Sequence, residues 1–131
     1  MNRRHACRLL GSAFLAPSAI RAAEAQGFAI RYVLSSALYG DLPLDEVLGE
    51  VKKSGAESID IWRKVHATHR EQIEEMGDEA FQALLKKHDV PLAISTCYPP
   101  GPFKQDDEMR WVKRNGGHMT VCASGKMGDA D

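Results

Sequence analysis

Cysteine is scarce in this chain. Of three in 131 residues, Cys7 sits in a leader-like start, which leaves Cys97 and Cys122 for the body. Two thiols in about a hundred residues cannot staple a small scaffold, so the core must come from ordinary apolar burial. Long apolar runs are also missing. The stretch from Leu9 to Ile20 is broken by Gly11, Ser12, Pro17 and Ser18 and falls well short of the roughly 20 residues a membrane helix needs. No other segment could span a bilayer. A basic surplus is missing too. From Gln26 onward 13 basic residues stand against 17 acidic ones, a mildly acidic body with no stripe for a polyanion, so nucleic acid is not an expected partner. No P-loop, nucleophile elbow, zinc-finger spacing or EF-hand pattern occurs. What remains, 44% apolar and 27% charged residues, is the composition of a soluble globular domain.

The first 25 residues read as an address. Asn2-Arg3-Arg4-His5 gives a charged start, Leu9 to Ile20 an apolar middle, and Ala23-Glu24-Ala25 an A-x-A cleavage site. Together they resemble a twin-arginine export signal. Ala6 and Cys7 stand where bulky apolar residues usually follow the arginine pair, which leaves the ordinary secretory route open. Either route predicts a periplasmic or extracellular protein. The plainer reading is an N-terminal amphipathic helix on a cytoplasmic one.

Residues 26–124 alternate short β-type runs with helical patterns. Ile30 to Ser35 is rich in β-branched and aromatic residues and predicts a first strand. After Asp41 and Pro43, the residues Leu44, Val47, Leu48 and Val51 follow the i, i+3, i+4, i+7 spacing of a helix, and Gly55 supplies a left-handed stop. Ser58 to Trp62 predicts a second strand. Thr68 and Glu71 have the spacing of a capping box ahead of Ile73 and Met76. Gly77-Asp78 breaks and recaps the chain before a helix with Ala80, Phe81, Leu84 and Leu85 on one face. Leu92 to Cys97 follows Pro91 as a third strand. Asp106 is expected to cap a helix with Met109, Trp111 and Val112, Gly116-Gly117 ends it, and Met119 to Cys122 predicts a fourth strand.

Strands separated by helices at this spacing are the signature of right-handed βαβ crossovers and a parallel sheet, so the fold class is α/β. A dinucleotide-binding open sheet would want a G-x-G-x-x-G turn after the first strand, yet Ser35-Ser36-Ala37-Leu38-Tyr39-Gly40 has one glycine. That favours a (β/α)8 barrel. A complete barrel has about 250 residues and eight strands. Here the expectation is a partial barrel of three βα units plus a fourth strand, with residues 125–131 an unstructured tail. Two open edges and an uncovered face then predict marginal stability or self-association.

From Ile30 to Cys122 the chain resembles the N-terminal half of the xylose-isomerase-like barrels known as sugar phosphate isomerases/epimerases. The likeness rests on Arg31 to Gly40, on Gly55-Ala56-Glu57-Ser58-Ile59-Asp60-Ile61-Trp62, and on Ser95-Thr96-Cys97-Tyr98-Pro99. The resemblance implies a small-molecule sugar or sugar phosphate as ligand and, for the full-length family, a divalent metal that polarises the sugar's oxygens. The family's ligands come mostly from the second half of the barrel. No metal or catalytic residue is carried over, no cofactor is expected for this chain by itself, and it is expected to be inactive alone. The alternatives are a non-catalytic exported carbohydrate-binding module and a non-functional gene remnant.

Barrel sites are built at the C-terminal ends of the strands. The residues there are Ser35, Ser36, Asp60, Trp62, His66, Cys97, Tyr98 and Cys122. Trp62 and Tyr98 could stack on a sugar ring, and His66 could hydrogen-bond a hydroxyl or phosphate. The plainer reading packs Trp62 against the next helix and leaves His66 solvated. Asp60 lies between Ile59 and Ile61, so it points away from both, and Arg31 is the expected partner for its charge. His66, Cys97 and Cys122 could share a soft metal. His69, His88 and the acids Glu71, Glu74, Glu75, Asp78 and Glu79 fit solvated helix faces, and His118 belongs to the opposite end of the sheet.

Overall fold

The computed structural model describes residues 29–123. The export-signal reading of residues 1–25 and the tail assigned to 125–131 lie outside the described residues. In chain order the elements are β1 (Val33–Ser35), a 3-10 turn (Ser36–Tyr39), α1 (Leu44–Val51), β2 (Ser58–Trp62), α2 (His69–Met76), α3 (Asp78–His88), β3 (Leu92–Thr96), α4 (Asp106–Arg114) and β4 (Met119–Val121). The four strands form one sheet in the order β1-β2-β3-β4, every pair parallel. The fold is α/β, with a helical crossover between each pair of neighbouring strands.

Periodicity decides which side of the sheet becomes core. Leu34, Ile59 and Leu92 are register partners on β1, β2 and β3, and Ile61 follows two residues after Ile59 on the same face. These four belong to a single apolar cluster with Leu44, Val47, Leu48 and Val51 of α1, Ile73 of α2, Phe81 and Leu85 of α3, and Trp111 and Val112 of α4. The helices therefore sit on one face. Alternation sends Asp60 and Trp62 of β2 to the other face, and the register shift between Ile59 and Asp60 brings Thr96 of β3 there too; no helix covers this face among the described residues. Phe81 stacks on Trp111 with centroids 5.8 Å apart, and both are fully buried.

The turns follow from the residues that make them. Gly55 has φ +80 and returns the chain from α1 to β2, with the Ala56 amide bonded to the Val51 carbonyl. Gly77, at φ +85, separates α2 from α3. Its amide closes α2 on Ile73, and its carbonyl accepts from Phe81 to open α3. A side chain is disfavoured at either position.

Several local expectations are corrected. β1 begins at Val33, not Ile30, because Gly55 and Ala56 turn the neighbouring chain away below Ser58. The Tyr32 carbonyl still accepts from Glu57, but Ile30 and Tyr32 are exposed. β3 ends at Thr96 and β4 at Val121, one residue short of each cysteine. The Thr68 side chain caps no backbone amide of α2. Its hydroxyl is taken by the Gln72 amide at 3.2 Å, and Glu71 turns to Arg63 at 3.4 Å. Asp106 is the first helical residue of α4, and Gln105 before it makes no side-chain cap. Met76, Ala80 and Met109 are exposed.

The largest correction concerns charge and histidine. His69 is fully buried, not solvated. Its Nε2 lies 3.0 Å from the Leu42 carbonyl and its Nδ1 has no partner. Burial pushes its pKa below the usual histidine value, against the smaller opposing effect of the Leu42 bond. His88 is partly buried against Asp45, 2.6 Å away. The acidic run is not wholly solvated either, since Glu71 and Glu74 pair with Arg63, and Glu74 also with Arg70.

Candidate functional site at the C-terminal strand ends

The uncovered face and the strand ends meet where β2 and β3 finish. Asp60 stands in the middle of β2, 9% exposed. Its carboxylate accepts the Trp62 indole Nε1–H at 2.6 Å and the Thr96 hydroxyl at 2.9 and 3.0 Å. Asp60 and Trp62 share a face because they are two residues apart in a strand, and the β2/β3 register sets Thr96 beside Trp62. Burial raises the Asp60 pKa, and the bonds from Thr96 and Trp62 offset part of the rise.

Arg31 is not the partner of Asp60. Its side chain is 84% exposed and lies 3.9 Å from Glu57 at the opposite end of the sheet. Arg31 precedes β1, whereas Asp60 is paired with Ser35 at that strand's end. Thr96, which does bind the carboxylate, went unnoticed in the sequence. Alternation from Leu92 would have put Thr96 on the core face, and the register shift between Ile59 and Asp60 is what carries it to the face Asp60 occupies.

Three aromatic rings stand over this carboxylate. The Trp62 ring is 5.3 Å from His66 and 5.4 Å from Tyr98, at interplanar angles of 84° and 71°. His66 and Tyr98 are 6.1 Å apart at 81°. All three contacts are edge-to-face, the arrangement aromatic quadrupoles favour. The Trp62 backbone N–H is fixed by the Ser36 hydroxyl at 2.9 Å. His66 and Tyr98 are exposed and Trp62 partly so, which leaves ring surface open to a ligand. The four residues singled out in the sequence, Asp60, Trp62, His66 and Tyr98, are thus neighbours. They reach one another from β2, from the loop after β2 and from the loop after β3. Trp62 packs on these two loop rings.

Behind the sheet, on the helix side, lies a second polar group. Arg70 of α2 bonds Glu108 of α4 through Nε at 3.0 Å and Nη2 at 3.3 Å, and the Ser95 hydroxyl donates to Glu108 at 2.6 Å. The Arg70 guanidinium also lies 3.9 Å from the Trp111 ring centre. Arg70 and Glu108 are each more than nine-tenths buried. Cys97 is buried, and burial together with the Glu108 charge raises its thiol pKa. An inert thiol is the result.

His66, Cys97 and Cys122 are not gathered into a metal-binding group. No three His, Cys, Asp or Glu side chains form one among the described residues. Two recesses lie away from the ring cluster. One of about 370 Å³ runs between α4 and the outer edge of β4, with Met109, Lys113 and Met119 in its lining. The other, about 540 Å³, opens at the N-terminal strand ends and includes Ser58, Pro91 and His118, the end expected for His118. No helix among the described residues is long and apolar enough to cross a membrane. Against protein-family models, curated proteins and solved structures, the chain finds no match.

Proposed function

We propose that this chain is part of a (β/α)-barrel protein of the sugar phosphate isomerase/epimerase type, and that its own contribution is to hold the sugar. The observation that carries the reading is the Trp62–His66–Tyr98 ring cluster above a buried, hydrogen-bonded Asp60, at the strand end where barrel sites lie. Four consecutive parallel strands with helices on one face fit part of such a barrel. A sugar presents an apolar C–H face and a hydroxyl rim. Ring surfaces of Trp62 and Tyr98 suit the first, and His66 and the Tyr98 hydroxyl can bond the second.

The divalent metal of that family does not fit the described residues, which offer no ligand group for it. The chemistry proposed for this chain is therefore binding and orientation. An exported carbohydrate-binding module would use the same residues in the same way, and export itself rests on the leader-like first 25 residues.

Fluorescence tests the reading directly. Of the two tryptophans, Trp111 is fully buried and Trp62 partly exposed, so added ligand acts on Trp62 emission. Titration with hexoses, pentoses and their phosphates is expected to give a saturable change at millimolar concentration, about −4 kcal/mol of binding. Trp62→Ala is expected to remove it while leaving the Trp111 signal. The absence of a saturable change with every sugar and sugar phosphate, on a folded protein, would rule the reading out.

A further inference from the structure

Two cysteines stand opposite each other where β3 and β4 end. The β3/β4 register sets Ile94 against Met119, Ser95 against Thr120 and Thr96 against Val121, so the next pair in step is Cys97 with Cys122. The Cys97 amide donates to the Val121 carbonyl at 2.8 Å, which is one of the two bonds that flank a 97/122 pair in a parallel ladder. The other would go to the Cys97 carbonyl, which accepts instead from the Gln105 side-chain amide at 3.1 Å. β4 ends at Val121, so Cys122 is placed in register and yet free to move closer. Neighbouring strands lie about 4.8 Å apart, inside the Cα separation of about 4.4 to 6.8 Å that a disulfide spans.

The two side chains also share a face. On β3 the Ser95 hydroxyl bonds Glu108 on the helix side, and two residues later the Cys97 thiol is acted on by the charges of Glu108, Arg63 and Arg70. On β4 Thr120 lines the recess beside α4, and alternation carries Cys122 to that side as well.

We infer that Cys97 and Cys122 are a disulfide pair, closed by a disulfide-bearing oxidant and open without one. Cys122 is partly exposed and Cys97 buried, which orders the chemistry. The Cys122 thiolate attacks one sulfur of the oxidant's disulfide and expels a thiolate. Cys97 then gives up its proton to water and attacks Cys122 Sγ, expelling the second. Two protein thiols are oxidised by two electrons, and one oxidant disulfide is reduced to two thiols. Cys97 is inert toward a reagent from solution, but here its target is held beside it. The bond encloses α4 in a covalent loop and fastens β4, which among the described residues pairs only with β3. An export leader would deliver the chain to a compartment where such oxidants act.

The test uses the full chain, with Cys7→Ser beside it to remove the third thiol. After equilibration with reduced and oxidised glutathione and an acid quench, free thiols are alkylated and the chain is digested with trypsin without reduction. Peptides 88–104 and 115–126, which hold Cys97 and Cys122, are expected as one linked species from protein of monomer mass. By linkage, the folded chain should favour the bond about a hundredfold over the urea-unfolded chain, and the bond should raise the melting temperature by roughly 10 °C. Cys122→Ser, at a partly exposed site, should keep its circular dichroism spectrum and lose the oxidant-dependent rise. Free or separately glutathionylated cysteines in excess oxidant would overturn the inference. So would a link to Cys7 or to a second copy, or a link no more favoured in the folded chain than in urea. Trp62→Ala should leave the link unchanged, so loss of sugar binding and loss of the disulfide are separate results.

Discussion

Replacing Glu108 by alanine tests how the helix layer is held to the sheet. The carboxylate accepts two bonds from Arg70 and one from Ser95. Its removal strands a guanidinium that is 8% exposed and a buried hydroxyl whose remaining acceptor, the Ile61 carbonyl, is 3.5 Å away. Breaking one side of a buried ion pair costs about 3 to 5 kcal/mol. Two contacts temper the loss. Glu74 stays 3.3 Å from Arg70 Nη1, and the Trp111 face still lies under the guanidinium. Glu74 is about half exposed, so water screens much of its attraction. The low end, about 3 kcal/mol, is expected, a large share of the 5 to 15 kcal/mol that small domains possess. Urea unfolding followed by circular dichroism should show a lower midpoint with an unchanged slope. A double variant, Arg70→Met with Glu108→Leu, removes both charges and should recover most of the loss, because apolar pairs replace buried ion pairs at little cost. A single-variant loss under 1 kcal/mol, or a double variant no better than the single, would refute this account.

Other perturbations give separable outcomes. Gly117→Ala would place a methyl 2.7 Å from Val112 Cγ1 and 3.1 Å from Leu92 Cγ. Both neighbours are buried, so overpacking of about 1 to 3 kcal/mol is expected in the same urea assay. His69 titrates below the ordinary 6.5 in the folded chain, so the unfolded chain takes up the proton first. Stability should be level above about pH 6.5 and fall as the pH drops below it. Thermal melts from pH 8 to pH 5 check this, and His69→Gln, which can still donate to Leu42, should lose that part of the slope. Asp60 acts with the opposite sign. Its folded pKa is raised, so its ionisation weakens the folded state, and its contribution to stability grows as the pH falls toward the carboxylate range. Asp60→Leu is expected to lower sugar affinity about tenfold at neutral pH, because it leaves the Trp62 N–H and the Thr96 hydroxyl without their acceptor and loosens the rings.

Much of the fold was written locally. Ser58–Trp62 matches its expected strand because a glycine turn and a strict apolar alternation both specify it. α1 is similarly unambiguous, since four apolar residues at helical spacing meet Gly55. What the chain did not disclose depends on distant partners. Arg70 and Glu108 are 38 residues apart, and each alone looks like a surface charge on an amphipathic helix. His69 looked solvated for the same reason, until the Leu42 carbonyl, 27 residues earlier, is found beside it. Asp60 could be placed on the uncovered face by alternation, but the choice of Thr96 over Arg31 required the register between β2 and β3. The nearness of Trp62, His66 and Tyr98 follows from strand order, since neighbouring parallel strands bring their exit loops together.

Trp62 has one hydrogen-bond donor, and it is spent inside the protein. With the indole Nε1–H committed to Asp60, the outward side of that ring is pure hydrocarbon and π-electron density. A visitor to the cluster gains nothing there by offering an acceptor. It gains by offering a flat patch of C–H bonds, and a stereoisomer with an axial hydroxyl on that patch would be turned away. On the proposed sugar reading, discrimination between epimers at single carbons would follow, and the buried aspartate would shape it without touching the visitor.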